Sequence, residues 1–324
     1  MGTPDPRQID GLGGGTSLTS KVAVVGPSEH PGADVDYLFL QLGVDEATVS
    51  SRQNCGNILA GVGPFAVERG PVPAGAAETT LRIRMVNADS IAVATFATPG
   101  GPVEYRGGVA IAGVPGTAAA VLLAFTDTEG SATGSLLPTG HVRDSVDGVE
   151  VTCVDNGMPV VLVMAEALGV SGYESHEQLA ADTALLERVE ALRTKAGQLM
   201  GLGDVRGSSV PKTVLLAPAR DGGHVCTRSF IPVQPHTSIG VLAAVSVVTG
   251  LLLPGAVRHE LTAAWTADRS QVDVEHPTGH LLVDVVVDAT SSPPRAVRSG
   301  VVRTARKLFD GTAFPRAAVE GSAR

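Results

Sequence analysis

At 324 residues, with 44% apolar and 18% charged side chains, the chain is long enough for two domains and too apolar to be disordered. Its net charge is −9 and no Lys/Arg cluster stands beside aromatics, so nucleic-acid binding has no electrostatic footprint. The longest apolar run, Ile239 to Leu253, is about 15 residues against the roughly 20 that a membrane span needs.

The chain opens without an apolar signal core, and the expectation is a cytoplasmic protein with no membrane partner. Cys55, Cys153 and Cys226 are odd in number and form no C-x-x-C, so neither a disulfide framework nor a zinc knuckle is indicated. The 39 glycines and 21 prolines are spread along the chain, which suits short strands joined by tight turns.

In chain order, a glycine run at Gly11–Gly15 leads into Thr19-Ser20-Lys21 and a strand at Val22–Val25. A dinucleotide loop follows a strand and opens a helix, whereas this run precedes a strand, so no nucleotide loop is read there. A strand at Val35–Leu42 comes next. Asn54-Cys55-Gly56-Asn57 then opens a helix over Gly56–Arg69, within which Pro64 should kink or interrupt the hydrogen bonding. Gly61–Ala66 matches G-x-G-x-x-A only inside that helix. Strands follow at Thr80–Val86, where Leu81, Ile83 and Met85 alternate with Arg82 and Arg84, and at Ile91–Phe96, Val121–Phe125 and Val160–Met164. Ser175 and Gln178 have capping-box spacing for a helix whose inner face is Leu179, Leu186, Val189, Leu192, Ala196 and Leu199. Its other face, with Glu187, Arg188, Glu190, Arg193 and Lys195, is expected on the surface. Two more strands, Thr213–Ala217 and Val225–Ile231, precede His236-Thr237-Ser238, which opens a helix over Ile239–Leu253. The last elements are a strand at Leu281–Val287 and a short helix at Val301–Phe309. No G-x-S-x-G occurs, and His176-Glu177 and His259-Glu260 lack the second histidine of H-E-x-x-H, so hydrolase and zinc-protease chemistry have no support.

Two of the three longer helices, Gly56–Arg69 and Ile239–Leu253, are apolar on nearly every side and must be surrounded by protein. Each is expected inside a curved antiparallel sheet or barrel. The ground plan repeats: Gly11-Leu12-Gly13 leads to Lys21 and then to the first helix, and Gly201-Leu202-Gly203 leads to Lys212 and then to the second. The reading is an α+β fold of two similar domains with the site in the cleft between them. The first would span 1–115 with 291–324 returning to it, and the second 116–290.

The candidate chemistry lies at the strand and helix starts. Lys21, behind a glycine-rich loop, can serve as a base near neutral pH if desolvation or a positive neighbour lowers its pKa; read blandly, it is a surface lysine at a strand end. Asn54 is a good N-cap, Gly56 lets a ligand approach the first-turn amides, and Cys55 stands where a helix dipole activates a thiol; read blandly, Cys55 is a small residue at a crowded helix start. His236, Thr237 and Ser238, with Arg228 one strand away, could form the matching anion site or simply cap the helix. Cys153 and Cys226 read as packed thiols.

The run GGGTSLTSKVAVV, then DVDYLFLQLGVDE, then NCGNILAGVGPFAVERG resembles the 2-methylaconitate cis-trans isomerase family, whose relatives include 4-oxalomesaconate tautomerases of gallate and protocatechuate breakdown. GVPGTAA at Gly113–Ala119, LLPTG at Leu136–Gly140, VDNGMPVVL at Val154–Leu162, HTSIGVLAAVSV at His236–Val247 and EHPTG at Glu275–Gly279 extend the resemblance over nearly the whole chain. It implies a diaminopimelate-epimerase-like fold, in which Lys21 matches the catalytic lysine and Cys55 the cysteine facing it. The sequence DNGMP at Asp155–Pro159 looks nearer the oxalomesaconate branch. Family members usually begin upstream with an RGGTSKG-like loop, so the chain is expected to be an N-terminally shortened member.

The function so implied is a cofactor-independent isomerase acting on a small tricarboxylate-like substrate, 4-oxalomesaconate foremost. Lys21 would remove a proton, and Cys55 or a water would return one. Thr19, Ser20, Asn54, Gly56, Asn57, Arg228, His236, Thr237 and Ser238 are the expected substrate contacts, and no metal is called for. The alternatives are 2-methylaconitate isomerisation and a non-catalytic polycarboxylate-binding remnant. Assembly into a homo-oligomer is compatible with all of these.

Overall fold

The computed structural model describes residues 2–17, 19–51, 55–257 and 271–314. Asn54 and the His259–Glu260 pair therefore lie outside the described residues. The first half carries β1 (Lys21–Pro27), β2 (Val35–Leu42), β3 (Val49–Ser50), β4 (Glu78–Met85), β5 (Ser90–Ala97), β6 (Val109–Ala110), β7 (Thr117–Ala118) and β8 (Ala120–Phe125). The second carries β9 (Asp144–Val146), β10 (Val149–Asp155), β11 (Pro159–Met164), β12 (Lys212–Ala217), β13 (Val225–Ile231), β14 (Gln234–Pro235), β15 (Gln271–His276), β16 (Gly279–Asp288) and β17 (Arg295–Thr304). All nine strands read from the sequence are present. β4 shows why: Thr79, Leu81, Ile83 and Met85 turn inward while Arg82 stays exposed, the period-two pattern of a half-buried strand.

Fifteen of the strands join in one sheet, in the order β1-β2-β4-β5-β8-β17-β16-β15-β13-β12-β11-β10-β9, with β3 on β2 and β14 on β13, while β6 and β7 pair as a separate hairpin. Pairing is antiparallel except at β2–β4, β11–β12 and β13–β15. Strands from both halves contribute to one core, from Tyr37, Phe39 and Leu81 to Val245, Val274 and Val301. β17 lies at the middle, bonded to β8 on one side and β16 on the other. That overturns the short helix read at Val301–Phe309. Its apolar residues do fit a helical spacing, but Val301 to Thr304 are used as ladder residues against β8.

Helix α5 (Val241–Leu252) is buried as expected, with Ala243 to Leu251 all inaccessible, and packs on β10, β11, β16 and β17. The two polar residues in its apolar run are accounted for. Asn156 donates from Nδ2 to Thr249 Oγ1 at 2.7 Å and to Ser299 Oγ at 2.8 Å, and its backbone N–H donates to Ser246 Oγ at 3.0 Å. The turn between β10 and β11 is thereby bolted to the buried helix.

The first apolar segment departs from its reading. It forms two short helices, α1 (Gly56–Leu59) and α2 (Val62–Glu68), and Phe65 is 45% exposed, with Glu68 and Arg69 beside it in solvent. Pro64 has no N–H to give a preceding turn, and it stands in the first turn of α2, where none is needed. Arg69 lies over the Phe65 ring at 5.7 Å, shielding part of the exposed face. The capping box of Ser175 and Gln178 is present, but it starts α3 (His176–Ala181); the chain then breaks at Asp182, which caps α4 (Thr183–Leu199). Arg193, read as a surface residue, is 1% exposed; it pairs with Glu190 and donates to the carbonyls of Val205, Ser208 and Val210. No helix among the described residues is long and apolar enough to cross a membrane.

Candidate active site

Lys21 is the first residue of β1, and its side chain shares the face of Ala23 and Val25, which pack on the core. Its Nζ donates to Gln41 Oε1 at 2.6 Å and lies 5.3 Å from the centre of the Phe39 ring. Gln41 is fixed in turn, since its amide donates to the carbonyls of Ser17 at 3.0 Å and Ser20 at 3.1 Å. The ammonium is thus aimed by a side chain directly across the β1–β2 ladder. Ser20 is fully buried and its hydroxyl donates to Gly14 O at 2.9 Å, which fastens the glycine-rich loop to the strand. Thr19 is exposed and its hydroxyl bonds back to Thr16.

Cys55 is the N-cap of α1: its backbone is extended (φ −132, ψ 105) and its side chain makes no capping hydrogen bond. The N–H groups of Gly56 and Asn57 are left open by the helix geometry. Where a side chain on Gly56 would stand there is no protein within 4 Å. The Cys55 carbonyl accepts from Tyr37 Oη at 3.2 Å, and burial together with the Cys55 thiol pushes the Tyr37 phenol up. Tyr37 and Phe39 are both fully buried on the same face of β2. Two residues along a strand are about 7 Å apart. One ring therefore holds the backbone of Cys55 while the next underlies the ammonium of Lys21. α1 and α2 both lie against β1, and Cys55 packs at the edge of the core that β1 helps to cover. Gln41, Phe39 and Tyr37 were not singled out in the sequence, where an alternating strand gives no sign of which inward residue supports a neighbour.

In the second half His236, Thr237 and Ser238 do not open α5. They form a turn ahead of it, and the N-cap is Gly240. Ser238 N–H donates to His236 Nδ1 at 2.8 Å, and Ser238 Oγ lies 3.4 Å from His276 Nε2. Burial first, then neighbouring cations, pushes His236 down and His276 down to about 4. Arg228 is not brought to this group. It lies in β13 on the side of Cys226 and Phe230, and it donates to the carbonyls of Glu174 (2.8 Å) and Thr227 (2.9 Å). Cys153 and Cys226 are buried, and burial raises both thiols, Cys153 to about 12.

A mixed, largely antiparallel sheet wrapped on a buried helix, with Lys21 at a strand start and Cys55 at a helix start, is an α+β scaffold of the diaminopimelate-epimerase kind. The chain belongs to the PrpF family, whose model, described as "PrpF protein", matches residues 1–315. It is 54% identical over 314 residues to the (4E)-oxalomesaconate Delta-isomerase of a Novosphingobium species, covering 97% of this chain and 87% of that one. It is 55% identical over 312 residues to the 4-oxalomesaconate tautomerase of Pseudomonas putida, covering 96% and 85%. Among solved structures, methylitaconate-delta-isomerase superposes with a TM-score of 0.83 at 32% identity, over 96% of this chain and 85% of that one.

Proposed function

We propose that the chain is an isomerase of 4-oxalomesaconate and that Lys21 and Cys55 exchange the proton. The observation that carries this reading is the pair of buried rings on β2, Phe39 under the Lys21 ammonium and Tyr37 bonded to the Cys55 backbone, in a chain whose near relatives bear 4-oxalomesaconate names. The substrate's conjugated carbonyl and carboxyl groups acidify an adjacent C–H and receive its electron pair. Lys21 in its neutral amine form takes the proton, becoming an ammonium and leaving a dienolate. The open N–H groups of Gly56 and Asn57 hold the enolate oxygen, the Cys55 thiol returns a proton to the far end of the conjugated system, and proton exchange through solvent then restores the amine and the thiol. No electrons are gained or lost, so the conjugated system itself is the only electron sink required.

The reading also keeps two domains, 1–115 with 291–324 returning to it and 116–290, which meet where β17 pairs with β8 and β16. The two relatives named above, each more than 50% identical, are 4-oxalomesaconate enzymes by name, which favours that substrate over 2-methylaconitate. The test is turnover of each acid, followed through the change in conjugated absorbance. 4-Oxalomesaconate should be turned over with the larger kcat/KM; equal or better turnover of 2-methylaconitate would reverse the assignment.

A further inference from the structure

Three strands of the second half end on the same face of the sheet. In β12, Val214 and Leu216 enter the core around α5, and the alternation puts Lys212 on their side. In β15, Val272 and Val274 place His276 likewise, and in β17 Val301 places Arg303. The Lys212 Nζ stands over the start of α5, 3.6 Å from where a side chain on Gly240 would begin.

Arg303 borders a cavity of about 460 Å³ whose lining also includes Asn57, two residues after Cys55, and Thr117 of the β6–β7 hairpin. That volume lies within the roughly 300–1,000 Å³ of small-ligand pockets. Arg303 Nε is buried with no hydrogen-bond partner, and its Nη1 reaches only the carbonyl of its neighbour Val302, at 3.3 Å. Among the described residues neither cation has a carboxylate partner; burial alone pulls the pKa of each down. A half-buried cation with no counter-charge is costly, and two of them beside two histidines held neutral leave a place for an anion.

We propose that Lys212 and Arg303 are the side chains that neutralise the carboxylates of the substrate, Arg303 in the cavity beside Asn57 and Lys212 at the start of α5. This rests on the polycarboxylate reading above and takes over the role that the sequence gave to Arg228.

Calorimetric titration with tricarballylate, a tricarboxylate that cannot isomerise, reads the site directly. It is run on the wild type, Arg303→Gln, Arg303→Lys and Lys212→Met, with KM and kcat for 4-oxalomesaconate measured alongside. A charge-assisted hydrogen bond is worth about 1.5–3 kcal/mol, so each neutral variant should weaken Kd and raise KM by roughly 10–100-fold. The fall in kcat should be smaller, and Arg303→Lys should keep part of the affinity. Melting temperature should not drop in these variants, because the one bond lost is the long contact of Arg303 Nη1 to the adjoining Val302 carbonyl. Affinities within threefold of wild type in both neutral variants would overturn the proposal, as would a fall in melting temperature with unchanged affinity. If the wild type binds tricarballylate through these residues but does not turn over 4-oxalomesaconate, the carboxylate site stands and the substrate assignment falls.

Discussion

Lys21 and Cys55 could be singled out in the sequence because each stands where a loop becomes a regular element, the kind of position where a side chain is both held and accessible. What the sequence did not reveal is how they are held. Gln41 aims the Lys21 amine, and in sequence it is an ordinary polar residue near the end of a strand. The bonding of Arg228 to the Glu174 and Thr227 carbonyls was hidden for a related reason. Val225 to Phe230 are buried on both faces, so no alternation tells which face Arg228 takes, and the covering of that outer face by the Glu174 loop depends on tertiary packing. Cys55→Ala is expected to lower kcat by roughly 10²–10⁴-fold with little change in tricarboxylate affinity, as loss of a proton donor does; a kcat within a few-fold of wild type would assign reprotonation to another group. His276 makes a separate prediction. The fold keeps it neutral down to about pH 4, whereas the free side chain protonates near 6.5. As pH falls the unfolded chain takes up the proton first, so stability from this site is full above 6.5, declines between 6.5 and 4, and then levels off. Melting temperature should fall across that window, and His276→Gln should flatten part of the fall. Parallel pH profiles for the two proteins would remove His276 as the source.

At the scale of elements, the strands were legible wherever one face is wet, as in β4, and also where a β-branched run is flanked by turns, as in β13. Helix α5 was legible from its all-round apolarity. The first apolar segment was read as its twin and proved to be two short helices, because Pro64 forces a restart and Phe65 faces outward. β17 was missed since the stretch Val301 to Phe309, which begins in its last four residues, carries apolar residues at helical spacing; pairing with neighbours on both sides outweighs that local pattern. The role of DNGMP was also out of reach. Asn156 is wholly buried and its side chain ties α5 to β17 through Thr249 and Ser299. Asn156→Ala removes both donated bonds and leaves two buried hydroxyls short of a partner, so urea denaturation should show a loss of about 2–4 kcal/mol. A loss below about 0.5 kcal/mol would mean that those hydroxyls find other partners.

Over the whole molecule, the internal repeat gave the ground plan, in which a lysine at a strand start faces a helix in each half. It gave no hint that the two halves share a sheet. β8 and β17 pair across the middle, and the buried residues of both halves form one cluster. Unfolding should therefore be a single transition, with fluorescence and far-ultraviolet dichroism melting together; two resolved transitions would show halves that are energetically separate. The same continuity holds Lys21 and Cys55 in the first half and Lys212, His276 and Arg303 in the second at fixed distances, as an enzyme that moves a proton within a bound polyanion requires.

The central claim is that Lys21 is the base for an isomerisation of 4-oxalomesaconate. It is tested most directly by comparing wild type and Lys21→Ala for turnover of that acid, with tricarballylate affinity measured on the same preparations. The account predicts turnover by the wild type, a kcat lower by roughly 10²–10⁴-fold in the variant, and a tricarballylate affinity changed by only a few-fold. A variant that turns over within a few-fold of wild type, or one whose loss of rate is matched by an equal loss of binding, would contradict it.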